Sequence, residues 1–389
     1  MKVLILNSDS PQNRGDRAIL IGLVELVRDL YPNAEITSLS QFQKRDEAWF
    51  GIKFLPFSPY STSPFDYLKL LAEARKSDVV LWGGGELLKD YTNKLSLFYW
   101  ALKLWGVKQV NRKVIGSFQG IGPTKADISK KVIVAAVNQC QSFLVRDHES
   151  KQKLESWGAK SNVVASFDPA VYTSRTFSSN PQGPIGLGLR RWFHYRPSGW
   201  IPTKYRFWQK DAGPNAQEIR YVENLAALAD QLIETNDADL KFFPMHLGHS
   251  EDDGGFADLV ISNMKHAARC SVLASDDISP ADYLTEISNC RMFVASRLHS
   301  AILATVANVP SICLYYVDKG RLFFEQLGLS HYSLSITQMQ DQGIVEKLLG
   351  LSKELTSNSE SVKTQQLSSL AKMKSQLKSD LASAIAELR

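Results

Sequence analysis

One unit recurs along this chain: a short apolar run, a turn of glycine or polar residues, then a segment with apolar residues at helical spacing. Val3–Leu6 is followed by a helical pattern over Arg17–Leu30, with Ile19, Leu20, Leu23, Leu26, Val27 and Leu30 on one stripe. Asp78–Trp82 runs into Gly83-Gly84-Gly85 and a helical segment from Glu86. Lys113–Phe118, Ser142–Val145 and Val163–Phe167 repeat the pattern. Apolar strands that alternate with helices imply crossover connections and a parallel sheet covered on both faces. The fold class is therefore α/β.

The pattern stops at the polar stretch Phe177–Pro184 and then restarts. Ile185–Leu189, Leu240–Pro244, Met292–Ala295 and Ser311–Tyr315 read as strands, and Asn224–Ile233 and Ser300–Ala307 as helices. The expectation is two α/β domains, 1–175 and 184–350, which fits 389 residues at roughly 100–200 per domain. A tail over 355–389 carries Leu367, Leu370, Leu377, Leu381, Ile385 and Leu388 at helical spacing. It reads as an amphipathic helix packed on the body, with a membrane-surface or partner helix as the alternative. The aromatic stretch Arg191–Pro214 reads equally as a flap over a cleft or a plug at the domain seam.

Charge excludes one class. The net charge of +5, from 45 basic and 40 acidic residues, does not argue for nucleic acid. Cys140, Cys270, Cys290 and Cys313 match no metal-ligand spacing. The apolar run at the N-terminus is shorter than an export signal core. The stretch Ala301–Val317 is broken by Asn308 and Pro310 and falls short of the ~20 residues of a membrane span. A cytoplasmic protein with no bound metal and no cofactor is expected.

Candidate chemistry collects at strand ends, where open α/β sheets bind ligands. Asn13-Arg14-Gly15-Asp16 follows the first strand. Gly15 allows close backbone approach, while Asp16 reads alternatively as a helix N-cap. Gly83, Gly84 and Gly85 suggest something lying against the backbone. Glu86 and Asp90, spaced i, i+4, would share a helix face, with first-turn dipole matching as the plainer role for Glu86. Ser117-Phe118-Gln119-Gly120-Ile121-Gly122-Pro123 would form another cleft wall. Arg146-Asp147 and Asp168-Pro169 read as structural pairs, with a role in the cleft as the alternative. In the second half, Arg190 and Arg191 end a glycine-containing strand and suit a carboxylate or phosphate, or else are solvated. Ser296-Arg297-Leu298-His299-Ser300 interrupts an apolar run. If Arg297–His299 is extended, with the helix beginning near Ser300, Arg297 and His299 lie on one side; if the helix includes Arg297 they diverge. His246 and His249, with Asp252 and Asp253, do not complete a metal site. Lys319 and Arg321 add positive charge after the last strong strand.

The order of these pieces resembles the polysaccharide pyruvyl transferases. The markers are Asn13-x-Gly15-Asp16, Gly83-Gly84-Gly85-x-Leu87-Leu88-x-Asp90, Gln119-Gly120-Ile121-Gly122-Pro123, Arg146-Asp147, Asp168-Pro169-Ala170 and Ser296-Arg297-Leu298-His299. The resemblance covers about residues 1–330 and omits the aromatic stretch and the tail. It implies two Rossmann-like domains facing a cleft, as in GT-B glycosyltransferases. It also implies phosphoenolpyruvate as co-substrate, a sugar diol as acceptor, and a pyruvate ketal with released phosphate as products. The acceptor would be lipid-linked or nucleotide-linked and met at the inner face of the membrane. The donor would be held by Arg190, Arg297, Leu298 and His299, helped by Lys319 and Arg321, with His299 and Arg297 catalytic. Asn13, Gly15, Asp16, Gly83, Gly84, Gly85, Glu86 and Asp90 would face the acceptor. Two other functions fit the same residues: a GT-B-type glycosyltransferase using a nucleotide sugar, and a non-catalytic protein that binds an anion or glycan. Arg190, Arg297 and His299 are expected to converge on one small polyanion.

Overall fold

The computed structural model describes residues 1–7, 12–90, 94–193, 214–248 and 251–388. The first half holds a parallel seven-stranded sheet. Its strands are β1 (Lys2–Leu6), β2 (Glu35–Leu39), β3 (Lys53–Leu55), β4 (Val79–Trp82), β5 (Val114–Gln119), β6 (Ser142–Val145) and β7 (Asn162–Ala165), in the order β3-β2-β1-β4-β5-β6-β7. Helices α1 (Arg14–Leu30), α2 (Gln43–Phe50), α3 (Pro64–Lys76), α4 (Lys94–Val110), α5 (Asp127–Val137) and α6 (His148–Ser156) make the crossovers. The second half repeats the plan. Strands β8 (Ile185–Gly188), β9 (Leu240–Phe242), β10 (Cys270–Val272), β11 (Met292–Ala295), β12 (Ser311–Tyr315) and β13 (Ser333–Ser335) pair in parallel as β10-β9-β8-β11-β12-β13. Its helices are α7 (Ala216–Asn236), α8 (Asp253–Ile261), α9 (Pro280–Ser288), α10 (Leu298–Val306), α11 (Asp318–Leu327) and α12 (Ile344–Ser357), and α13 (Ser359–Ala386) closes the chain.

Both sheets are buried on two faces, which is why β1, β4, β6 and β11 read as unbroken apolar runs. One core, under α3 to α6, holds Leu70, Leu97, Trp100, Leu104 and Ile133 against Val80 and Trp82. The other runs continuously from α1 through the seam between the halves into the second sheet and down to α13.

Three features tie the halves. Residues 12–14 lie along 245–247: Asn13 and His246 form an antiparallel bridge, Arg14 N–H donates to Met245 O at 2.9 Å, and Leu247 N–H donates to Gln12 O at 2.9 Å. The Arg14 guanidinium crosses over and donates to Pro244 O, Leu273 O and Ser275 O at 2.8, 3.0 and 2.5 Å, its face 4.1 Å from the Tyr283 ring centroid. Helix α13 buries Leu370, Leu377, Leu381 and Ile385 and reaches back to the first half. There Lys374 donates to Thr173 O, Lys378 pairs with Asp29, and Gln141 donates to Glu387 O. The tail is thus a packed strap.

Two helix starts differ from the sequence expectation. Helix α1 begins at Arg14, three residues early, because the Asn13 side chain caps it by accepting from the Gly15 and Asp16 N–H groups. Asp16 is therefore inside the first turn and is not the cap. Residues Gly85–Asp90 form no helix, so Glu86 and Asp90 share no helix face. Of the aromatic stretch, Trp192 and Phe193 pack on the second core, whereas Tyr195, Trp200 and Trp208 lie outside the described residues.

Candidate active site

The carboxyl ends of the two sheets face each other, and the singled-out residues sit there in two clusters of buried charge.

The first cluster belongs to the second half. Arg190 leaves the end of β8 and Arg297 the end of β11. Arg297 donates Nε and Nη2 to the two oxygens of Asp253 at 2.7 and 2.6 Å, and Nη1 to Glu251 Oε2 at 2.7 Å. Arg190 donates Nη2 to Glu251 Oε1 at 3.0 Å. The two guanidinium groups therefore hold the two oxygens of one carboxylate. Glu251 is partly buried, which would raise its pKa, but Arg297 and Arg190 hold it well below the ordinary glutamate value. Tyr316 closes the cluster, with the Arg190 guanidinium 4.3 Å from its ring centroid. Burial would raise its phenol too, yet the neighbouring Lys319, Arg190 and Arg297 bring it below its usual value.

The second cluster spans both halves. Arg146, at the end of β6, donates to Asp168 Oδ2 at 3.1 Å and Glu86 Oε1 at 2.8 Å. Gly120 makes room for it, since a Cβ there would come within 2.5 Å of Arg146 Nη2. From the second half, Lys319 approaches Glu86 Oε1 at 3.5 Å and His299 Nε2 approaches Asp168 Oδ2 at 3.5 Å. The latter distance is long for a hydrogen bond. His299 Nε2 is buried with no hydrogen-bond partner. Burial pushes the Asp168 carboxyl up, but His299 and Arg146 outweigh it and hold the group at about 2. A small cavity of about 20 Å³, room for roughly one water, lies beside this cluster between Arg146, Asp168, Leu298 and Lys319. A larger one, about 120 Å³, lies behind the strand ends between α1, α9 and α10 and touches neither cluster.

Several expectations change. Helix α10 starts at Leu298, with Arg297 as its N-cap in extended conformation, instead of near Ser300. Arg297 consequently points back into its own half and His299 across to the first. The expected three-way convergence of Arg190, Arg297 and His299 is not found: the arginines meet on Glu251, and His299 meets Asp168. Gly15 does permit a close approach, but what approaches is His299, whose Nδ1 would be 2.4 Å from a Cβ. Gly83 and Gly84, both at positive φ, are filled by protein, because side chains there would strike Gln119 and Ile19. Gly85, also at positive φ, bridges to Gln119 in the neighbouring strand end. Asp90 holds backbone, accepting from the Lys125 and Ala126 N–H groups. Arg321 stands apart from the arginine pair and binds Asp318, Glu325 and Glu149. Asp16 is half-buried in the first turn of α1. Among the described residues no group of His, Cys, Asp or Glu is arranged to hold a metal; His249 lies outside them.

Glu251 is not among the residues expected from the sequence, and for Asp168 the sequence favours a structural role over a functional one. Glu251 had no motif to mark it. Asp168, at a strand end beside a proline, carried the same positional signal as the other candidates.

The fold has known counterparts. A glycosyltransferase from Rickettsia africae superposes with a TM-score of 0.55 at 11% identity, covering 100% of this chain and 98% of that one. S. aureus MnaA, in a co-structure with UDP, gives 0.53 at 13% identity over 94% and 90%. The UDP-GlcNAc 2-epimerase from Neisseria meningitidis gives 0.52 at 13% over 96% and 100%. At these identities the likeness establishes the fold, a GT-B-like pair of α/β halves. In sequence, the amylovoran biosynthesis protein AmsJ of Erwinia amylovora is 20% identical over 90% of this chain and 92% of its own length. The family profile described as polysaccharide pyruvyl transferase matches residues 13–318, a span that runs from the cap of α1 to the start of α11 and takes in both charge clusters except Lys319. This chain is a transferase belonging to the polysaccharide pyruvyl transferase family.

Proposed function

We propose that this chain moves the pyruvyl group of phosphoenolpyruvate onto two hydroxyls of a sugar, forming a cyclic ketal and releasing inorganic phosphate. The observation that carries the reading is the arginine pair closed on a single carboxylate. Arg190 and Arg297 already bind both oxygens of Glu251, and a ligand bearing a carboxylate and a phosphate would compete for the same donors. Lys319 and Tyr316 border that position.

The methylene carbon of the donor takes up a proton, which leaves an oxocarbenium-like centre at the adjacent carbon. One sugar hydroxyl adds there, and its proton passes to the His299 imidazole left neutral by the first step. The phosphate oxygen then departs with the C–O electron pair, and the second hydroxyl adds to close the ring, its proton leaving with the phosphate. In this scheme His299 supplies the proton once a bound donor draws its imidazole toward the arginines; in the structure Asp168, fixed by Arg146 and the Ala170 N–H, holds the ring with its Oδ2 3.5 Å from Nε2. Asp16 and Glu86 line the acceptor side. The acceptor is a glycan, lipid-linked or nucleotide-linked, met in the cytoplasm at the membrane face.

Phosphate release should require both phosphoenolpyruvate and a sugar, tested over β-galactoside, mannose and N-acetylmannosamine acceptors. Nucleotide release from a nucleotide sugar, with phosphoenolpyruvate inert, would transfer the assignment to a glycosyltransferase. Donor binding without acceptor-dependent release would make the protein a binder.

A further inference from the structure

Helix α4 is apolar on two opposite faces. Its inner face places Leu97, Trp100, Leu104 and Val107 in the first core. Its outer face carries Leu95, Leu102 and Trp105, spaced by seven and three residues and so on one stripe. Leu102 is 64% and Trp105 53% exposed. A helix apolar all round normally has a partner on each side.

The neighbours continue the stripe. Helix α4 packs between α3 and α5, so closely at α3 that a Cβ on Gly106 would overlap the Tyr67 hydroxyl. Helix α3 exposes Phe65, at 76%, and Leu68, and α5 exposes Ile128. These six make up half of the twelve large apolar side chains exposed among the described residues, all on one outer face of the first half. Scattered exposed apolar residues need no explanation, whereas a contiguous group does.

Charge identifies the occupant. Residues 94–137 hold eight lysines and arginines against one acid, Asp127. That local excess is larger than the net +5 of the whole chain, so the rest of the protein is net acidic. Exposed Lys69, Arg75, Lys76, Arg112, Lys113, Lys125 and Lys131 lie on these three helices or just beyond their ends. Apolar and aromatic side chains accompanied by cations match an anionic lipid surface, in which the former enter the acyl boundary and the latter meet headgroups. A second copy of this chain would bring the same positive charge face to face. No described helix is long and apolar enough to cross a membrane, so the contact lies on the surface. The N-termini of α4 and α5 adjoin the carboxyl ends of the first sheet, which places this face beside the mouth between the halves.

We propose that the α3–α4–α5 face docks the protein on anionic membrane, with the mouth between the halves held at headgroup level. The inference does not depend on which donor the protein uses.

Flotation of the full chain with phosphatidylcholine vesicles, with and without phosphatidylglycerol, tests it. Binding is expected only with the anionic lipid and should fall as salt rises. Leu102→Glu/Trp105→Glu should weaken it roughly tenfold or more, with the melting temperature within a few degrees of the parent, since both side chains are solvent-exposed. A salt-only effect, with the double variant binding like the parent, overturns the proposal. So does absence of binding at low salt. Sedimentation velocity closes the remaining route: a dimer in the parent that the double variant abolishes would assign the face to self-association instead.

Discussion

Arg190 and Arg297 are neutralised by Glu251 and Asp253 from their own half, whereas Glu86, Arg146 and Asp168 of the first half are completed by Lys319 and His299 of the second. The arginine cluster can therefore form whatever the separation of the halves. The His299 cluster exists only when they are closed, because the imidazole must lie on Gly15 and against Asp168. Under the proposed function the difference would be a division of labour: the arginine cluster would bind the anion, and His299, held at the seam, would supply the proton. Closure has support of its own from the Arg14 pin and the Asn13–His246 bridge. It also removes water from both clusters, which strengthens every charge interaction there.

The largest expected effect is on turnover. His299→Gln removes the proton donor and should lower kcat by about 10²–10⁴-fold, the usual contribution of general acid catalysis. Donor affinity, measured by calorimetry with phosphoenolpyruvate, should stay near that of the parent. A variant that turns over like the parent removes His299 from the chemistry; one that loses donor affinity erases the division between the clusters.

Arg297→Ala comes next and should show the opposite profile. Removing one partner of a buried, hydrogen-bonded charge pair costs roughly 2–5 kcal/mol in binding, so donor affinity should fall by about two orders of magnitude. Stability should fall as well, by roughly 3–5 kcal/mol for a fully buried pair. The loss should sit toward the low end here because Glu251 is one-third exposed to screening solvent. Thermal melting separates the two losses. Full donor affinity in a destabilised Arg297→Ala protein would leave the arginine a structural role only.

How much of this could be read beforehand follows from what each feature is made of. Strands β1, β4, β6, β11 and β12 are legible because burial on both faces makes them uninterrupted apolar runs. Strands β2, β3 and β10 are not: β2 places Thr37 and Ser38 in the interior, β3 has three residues, and β10 is half-exposed, so none has the expected period. At the site, position was legible and direction was not. A strand end says that Arg297 faces the mouth between the sheets, but one residue of helix register decides whether it joins His299 or turns from it, and Arg297 as N-cap turns it away. The three glycines suggested a ligand, but Gly83 and Gly84 turned out to accommodate Gln119 and Ile19, contacts with β5 and α1 that no local spacing encodes. Glu251 is the extreme case: its role comes entirely from two arginines that are distant in sequence.

Glu251 also supplies the smallest and sharpest test. Its carboxylate occupies both guanidinium groups, so a donor must displace it, and the displaced charge then finds weaker partners. Glu251→Gln keeps the shape and one acceptor oxygen but removes the charge, leaving the arginines held less tightly. The difference between a charged and a neutral hydrogen-bond acceptor is about 1 kcal/mol, so phosphoenolpyruvate should bind roughly fivefold more tightly, with kcat little changed. Asp253 still holds Arg297 through two hydrogen bonds, so the variant should fold. Weaker donor binding in Glu251→Gln would mean that the glutamate fixes the arginines for the ligand instead of competing with it, and the preassembled half of the site would then need Glu251 as a permanent part.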